Sequence, residues 1–448
     1  MKSKQNLTSD TSAESLYSLR IKDLWYSFKA EHMSFWFLCL YFLFEYIRPQ
    51  VIYPVINFLP WGMVMLMMTL ITVFMNPTIT KVKNPLNKLL ILFAFIVVLS
   101  GVFAFRPATS WKFTEIMLGW FLVYFLTINI VNNEKRLFLF ILAYLLFNLK
   151  MAQFGALNWV KRGFSFAHHG LNGAPGWFQN SGEYAIQMLI YGSLAIAVVI
   201  PLKDHWGKMK KWFLYMLAIM GFFAVMGASS RGSQFALAII VVLFILKQKN
   251  GLKGIFIFTI LAFALYNLLP EEQLKRFEQV GEDYSSLQRL AYIEAGIEMI
   301  KEYPVLGIGY KNWIDYVIYK YPEGLGPLQM IQVCHNIYIE AGSELGLLGL
   351  LVFLLMILFA FINNARTRRM AKKLNNKFFF SVAYGLDAGM VGFLIAGTFV
   401  TVLYYPFFWI QITMIVMLNN VVTKTYREKL QQQTAVENSN TASGTIPP

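Results

Sequence analysis

Twelve apolar runs recur along this chain, most of them close to bilayer length, and the segments between them are mostly short and rich in Lys and Arg. They lie at 34–47, 58–75, 89–105, 113–130, 137–154, 184–201, 212–226, 233–246, 254–269, 337–362, 378–395 and 404–418. Hydrocarbon offers no hydrogen-bond partner, so a run of this kind must satisfy its own backbone, and a helix does so within one segment. Composition agrees, with 57% of the 448 residues hydrophobic and 14% charged, where a soluble domain carries about 25% charged residues. The pattern predicts an all-α polytopic membrane protein of about 12 transmembrane helices. The last two runs form nearly one stretch, divided at Pro406, which ends or kinks a helix.

Charge orients the bundle. With the loops alternating from a cytoplasmic N-terminus, about two thirds of the 39 Lys and Arg fall inside. Clusters such as Lys203/Lys208/Lys210/Lys211 and Arg366/Arg368/Arg369/Lys372/Lys373/Lys377 fill the inner loops. This positive-inside bias places both termini in the cytoplasm. It accounts for most of the net charge of +15, so anionic lipid rather than nucleic acid is the expected partner. The predicted organisation is a cytoplasmic N-terminal segment (1–32), nine spans (33–269), a large outer loop (270–335), three spans (336–422) and a disordered cytoplasmic tail (423–448). Residues 16–31 have the pattern of an amphipathic surface helix, and the first apolar run reads as an uncleaved anchor.

Two outer segments break the series of short connections. One, 155–183, holds Lys161, Arg162 and the adjacent His168 and His169, whose side chains point apart on a helix or strand and so make a poor metal pair. The other, 270–335, carries ten acidic and six basic residues. Its middle, 287–300, spaces Leu290, Ile293, Ile297 and Ile300 as an amphipathic helix that Pro304 ends. Gly307 and Gly309 mark a tight turn, and Trp313, Tyr316, Tyr319 and Tyr321 suggest a loop resting at the membrane interface. The two cysteines, Cys39 and Cys334, are too few for a disulfide framework, and neither a Walker-type Gly-rich loop nor a zinc spacing is present.

The polar, titratable run from Cys334 to Gly346 stands at the mouth of a long apolar helix, where polar groups are expensive and mark a site. His335 is the candidate acid/base, because imidazole exchanges protons near neutral pH; the alternative is a capping or interfacial residue. Cys334 points away from its neighbour, which disfavours a Cys–His dyad. Gly342, Gly346 and Gly349 read as close helix packing. Arg231, in a short outer turn, is either a snorkelling arginine or an anion clamp, since a guanidinium grips phosphate bidentately; Gly232 beside it would admit a ligand close to the backbone. Arg289 is either a second clamp or a solvated partner of Glu282, Asp283 or Glu294.

Three patches together resemble the O-antigen ligase and polymerase superfamily. They are Ser230-Arg231-Gly232 before an apolar helix, Gln288-Arg289…Ala295-Gly296…Pro304-Val305-Leu306-Gly307-Ile308-Gly309, and His335-Asn336-Ile337-Tyr338-Ile339-Glu340…Ser343-Glu344-Leu345-Gly346. The resemblance covers roughly 178–362 and implies a GT-C-like inner-membrane glycosyltransferase. Such an enzyme moves a glycan from undecaprenyl diphosphate to a lipid, protein or glycan acceptor on the periplasmic side, with no cofactor, nucleotide sugar or required metal. The resemblance implies His335 as the critical loop histidine and Arg231 and Arg289 as diphosphate ligands. It sets Asn336, Tyr338, Glu344, Gly232 and Gly309 as supporting positions. Three functions stay open: a ligase, which is preferred, a polymerase of lipid-linked repeat units, and a transporter or flippase. A transporter concentrates polar groups near the midplane, where only Glu45, Glu115 and Asp387 are candidates.

Overall fold

Each apolar run becomes helix, interrupted only within the run at 337–362, and the breaks between helices fall mostly at capping residues and prolines. The computed structural model describes residues 13–79, 81–165, 170–247, 250–267 and 284–443. After α1 (Ile21–Lys29), the first half contains α2 (Met33–Tyr46), α3 (Trp61–Phe74), α4 (Pro85–Val102), α5 (Pro107–Ile130) and α6 (Glu134–Lys161). It continues with α7 (Ser181–Leu202), α8 (Lys208–Gly227), α9 (Arg231–Leu246) and α10 (Gly251–Asn267). A cap follows, with α11 (Tyr284–Glu302) and α12 (Trp313–Lys320), and then come α13 (Ile337–Lys373), α14 (Lys377–Ala396) and α15 (Pro406–Ser443). Among the described residues there is no strand, only an isolated bridge between Leu325 and Met330. Among the described residues eight helices, α4–α8 and α13–α15, are long and apolar enough to cross a membrane. The other four runs form shorter apolar helices, α2, α3, α9 and α10.

Asn caps open many of these helices: the side chains of Asn84, Asn133, Asn180, Asn336 and Asn376 each accept a backbone N–H from the first turn that follows. At the centre, α7 is buried along nearly its whole length and packs on α14. Small residues bring the two backbones together, so that a Cβ on Gly385 would lie 2.4 Å from that of Ala197.

The two ends of the bundle differ. At one end Tyr17 packs on Phe138 and Phe378, and its hydroxyl donates to Glu134 at 3.0 Å. There Arg136 meets Glu31 at 2.6 Å, and Lys373 lies over Tyr426 of α15. Residues 13–31 and the later part of α15 therefore share this end, called here the basic end. At the opposite end, which holds His335, the α4–α5 turn is tied to the cap: Phe105 N–H donates to Ile308 O at 2.8 Å, and Arg106 pairs with Asp315 at 3.0 Å.

Four expectations are corrected. The tail expected to be disordered continues α15 as far as Ser443; a helix already nucleated in the bundle propagates through good formers such as Lys, Glu, Gln and Ala. The surface helix expected over 16–31 is broken at Leu19 (φ 50°), because Leu16 and Tyr17 insert into the core. Trp313 and Tyr316 do not rest at an interface; with Tyr292, Met299 and Ile308 they form a separate small core that makes the cap a folded unit, and only Tyr319 is 68% exposed. Gly346 is a break rather than a packing glycine: with φ 68° it divides α13 in two.

Candidate functional site

The break at Gly346 builds the floor of the site. An interrupted helix leaves carbonyls and amides without intrahelical partners, and the segment Pro304–Gly309 takes them up. Ile308 N–H donates to Ser343 O at 2.8 Å, Gly309 N–H to Glu344 O at 3.2 Å, and Leu347 N–H to Pro304 O at 2.8 Å. Ser100 of α4 donates to the same Glu344 carbonyl at 2.7 Å. The backbones approach so closely that a Cβ on Gly346 would lie 2.3 Å from Val305 O. Pro-Val-Leu-Gly-Ile-Gly is thus a strap that completes a broken helix. Gly309 (φ 114°) also lies against Ala104, where a Cβ would come within 2.2 Å.

Glu344 fixes the cap from below. It is buried, and its two carboxylate oxygens accept the N–H groups of Lys311 at 2.9 Å and Trp313 at 3.1 Å, at the start of α12. Glu340, one turn earlier on the same face, accepts Leu403 N–H at 3.0 Å and so fixes the α14–α15 connection. Lys311 Nζ lies 4.7 Å from the centre of the Tyr404 ring. Asn336 caps α13, its side-chain oxygen accepting Tyr338 N–H at 2.9 Å and Ile339 N–H at 3.1 Å. The Tyr338 hydroxyl donates to Leu394 O at 3.3 Å. These residues frame the site through hydrogen bonds to the backbone.

His335 sits on that frame in a left-handed conformation, φ 52°, which non-glycine residues adopt at a cost when the surroundings hold them there. Its N–H donates to Thr401 Oγ1 at 2.7 Å, and its ring centre lies 6.2 Å from that of Tyr292 on α11. Burial first, and then the nearby positive charge of Arg289, together lower the pKa of the half-buried imidazole to about 4. The ring is consequently neutral at pH 7 and able to accept a proton. Next to it Cys334 is fully buried, and burial pushes its thiol well above the usual range, which leaves it protonated.

Arg289, on the same helix as Tyr292, is half-buried and acts electrostatically on His335. Arg231 is the first residue of α9 and is also half-buried. The place where a ligand would approach Gly232 is filled by Phe399, whose ring a Cβ there would meet at 2.3 Å. Phe399 precedes Thr401 by two residues, so the α14–α15 connection links the Arg231 turn to His335. Glu282, Asp283, His168 and His169 lie outside the described residues. No group of three His, Cys, Asp or Glu placed to hold a metal occurs among the described residues.

Sequence reasoning missed Thr401, Tyr292 and the separate task of Glu340. The signal available was polar residues inside apolar stretches: Glu340 and Glu344 lie four apart on one helix face, and Thr401 lies between two runs. No curated protein matches the chain. A family model described as O-antigen ligase matches residues 216–354, which include Arg231, Arg289, His335 and the strap; over that segment, about a third of its length, the chain is similar to the O-antigen ligase family.

Proposed function

We propose that the chain transfers a glycan from undecaprenyl diphosphate to a lipid or protein acceptor at the periplasmic face of the inner membrane, with His335 as general base and Arg231 and Arg289 holding the diphosphate. The family supports a glycan-transferring membrane enzyme acting on lipid-linked glycans. The observation that carries the finer reading is the neutral, half-buried imidazole of His335 beside the Arg289 guanidinium.

In this reading the acceptor hydroxyl gives its proton to a ring nitrogen of His335 as its oxygen bonds to the anomeric carbon. The bond from that carbon to the diphosphate breaks, and undecaprenyl diphosphate leaves with the electron pair. Fixed guanidinium groups stabilise the charge that grows on the leaving phosphate, where a poorly solvated site makes them most effective. A single displacement inverts the anomeric centre. Neither a nucleotide sugar nor a resident cofactor has a step to perform.

The test is reconstitution with a defined lipid-linked donor and acceptor. His335→Ala is expected to lower turnover by about 10²–10⁴-fold with the protein inserted and folded. Turnover near that of the native chain would return His335 to a capping role.

A further inference from the structure

A cleft of about 580 Å³ opens at the basic end, between α7, α9, α13 and α14, on the opposite side of the bundle from His335. Four lysines line it, Lys203, Lys247, Lys372 and Lys377, against one acid, Asp204. The carboxylate of Asp387, which acts on Lys247, is already engaged by Arg368 and by Asn364 at 2.8 Å. Positive charge in the cleft is therefore in excess.

The lysines are also held together. Lys247 Nζ lies 4.5 Å from the centre of the Tyr384 ring and 5.0 Å from that of Phe380, and Lys372 Nζ lies 5.5 Å from the same Phe380 ring. Lys247 and Lys372 thus share one aromatic wall, although like charges so placed repel. Partial burial and the cations Arg368 and Lys372 hold the Lys247 ammonium below its ordinary pKa. An anion between them would relieve that repulsion. Asn376 and Lys377, at the N-terminus of the 20-residue α14, also line the cleft and bring the positive end of its dipole to it. The remaining wall is apolar, with Phe244 on it, and Leu246 at the end of α9 is 51% exposed. A soluble anion has no use for such a wall, whereas the first carbons of an acyl chain do.

We propose that this cleft binds the headgroup of one anionic phospholipid, with its phosphate among Lys247, Lys372 and Lys377 and its glycerol and proximal acyl carbons against Phe244, Phe380 and Tyr384. The volume suits a headgroup with part of its chains. The proposal concerns the opposite end of the bundle from the glycan site and does not depend on how that site works.

The experiment is native mass spectrometry of the full chain, purified in detergent and titrated with dioleoyl phosphatidylglycerol or dioleoyl phosphatidylcholine. The native chain is expected to retain one phosphatidylglycerol preferentially. K247Q/K372Q/K377Q is expected to bind it at least about tenfold more weakly, while K208Q/K211Q/K424Q, the same charge change outside the cleft, keeps the native affinity. Equal weakening in both triple variants would reduce the effect to general surface charge and overturn the site. Equal retention of phosphatidylcholine would overturn it as well. Displacement of the lipid by glycerol 1-phosphate at comparable concentration would show that a free phosphate suffices and would overturn the lipid assignment.

Discussion

Thr401 holds His335 by its backbone: the histidine N–H donates to the threonine Oγ1 at 2.7 Å across a separation of 66 residues. The bond ties the α14–α15 connection to the loop before α13 and helps keep a left-handed histidine in place. Thr401→Val preserves shape but removes the acceptor, leaving a partly buried N–H unpaired at a cost of about 1–3 kcal/mol. The loop should relax away from φ 52°, and displacements of this kind lower turnover by as much as about 10²-fold. Thr401→Ser should restore most of the rate. Transfer assays on both variants, matched for expression, decide the point, and full activity in the valine variant would remove Thr401 from the site.

Donor binding should move the acid limb of the pH profile. In the free protein His335 titrates at about 4 instead of 6.5, held down by burial and then by Arg289. Its base form therefore persists well below neutrality, and kcat/KM, which reports the free enzyme, should fall only near pH 4. A bound diphosphate adds negative charge beside the ring and offsets Arg289, favouring the imidazolium. The acid limb of kcat should consequently lie at higher pH than that of kcat/KM. Arg289→Gln should shift the kcat/KM limb upward as well. For stability the sign is the same: His335 contributes most above pH 6.5, and the contribution is lost as pH falls toward 4, because the unfolded chain takes up the proton first. Coincident limbs at pH 6.5 would contradict the buried, charge-coupled imidazole.

The two arginines should not tolerate lysine. A guanidinium spans two phosphate oxygens with a rigid fork, and an ammonium is a point charge. Arg231→Lys and Arg289→Lys are each expected to weaken undecaprenyl diphosphate binding by about tenfold, since hydrogen bonds to charged groups are worth about 1.5–3 kcal/mol. Unchanged affinity in both variants would assign the arginines to structure.

The helices were legible in the sequence for a simple reason: a bilayer-length apolar run bounded by Pro or Asn has one stable backbone solution in hydrocarbon. Pro406 and Pro304 marked boundaries correctly because their missing N–H acts locally. The break at Gly346 was not legible. Leu347 to Leu351 continue the apolar run without interruption, and only the strap 304–309, some forty residues earlier in the chain, makes the break stable. Thr401 and the task of Glu340 escaped for a related reason, since each acts on the backbone of a segment distant in sequence. His335 and Arg289 could be singled out by residue type and position, but their proximity could not, because it depends on how α11 packs over the start of α13.

Gly346→Ala should loosen the cap without touching any proposed substrate ligand. The added Cβ would lie 2.3 Å from Val305 O in a backbone conformation with φ 68°, so that strain of about 1–3 kcal/mol is combined with a backbone clash. Relief requires the strap to lift from Ser343 and Glu344, which also frees the start of α12. Thermal unfolding in detergent should begin at lower temperature, and amide exchange should rise over 303–320 before it rises in α7. An unchanged exchange pattern would show that the strap does not depend on the break.

The acceptor separates a ligase from a polymerase, and the distribution of cations favours the ligase. A polymerase must receive a second polyprenyl diphosphate, and two further negative charges call for a second cationic cluster. Two of the candidates in the cap are already engaged, since Lys320 pairs with Glu298 and Glu302 and Lys311 lies over Tyr404 close to Glu340 and Glu344, and in the adjoining turn Arg106 pairs with Asp315; Lys301, at the end of α11, is exposed. Exposed Lys161 and Arg162 remain at this end on the far connection, while Lys275 and Arg276 lie outside the described residues. Surface charge alone is a screened and weak determinant, so the decisive measurement is chemical. Cells lacking the gene should accumulate polymerised glycan on its lipid carrier, with the acceptor left unglycosylated. Accumulation of single lipid-linked repeat units would instead identify a polymerase, with the same His335 chemistry acting on a second lipid-linked chain.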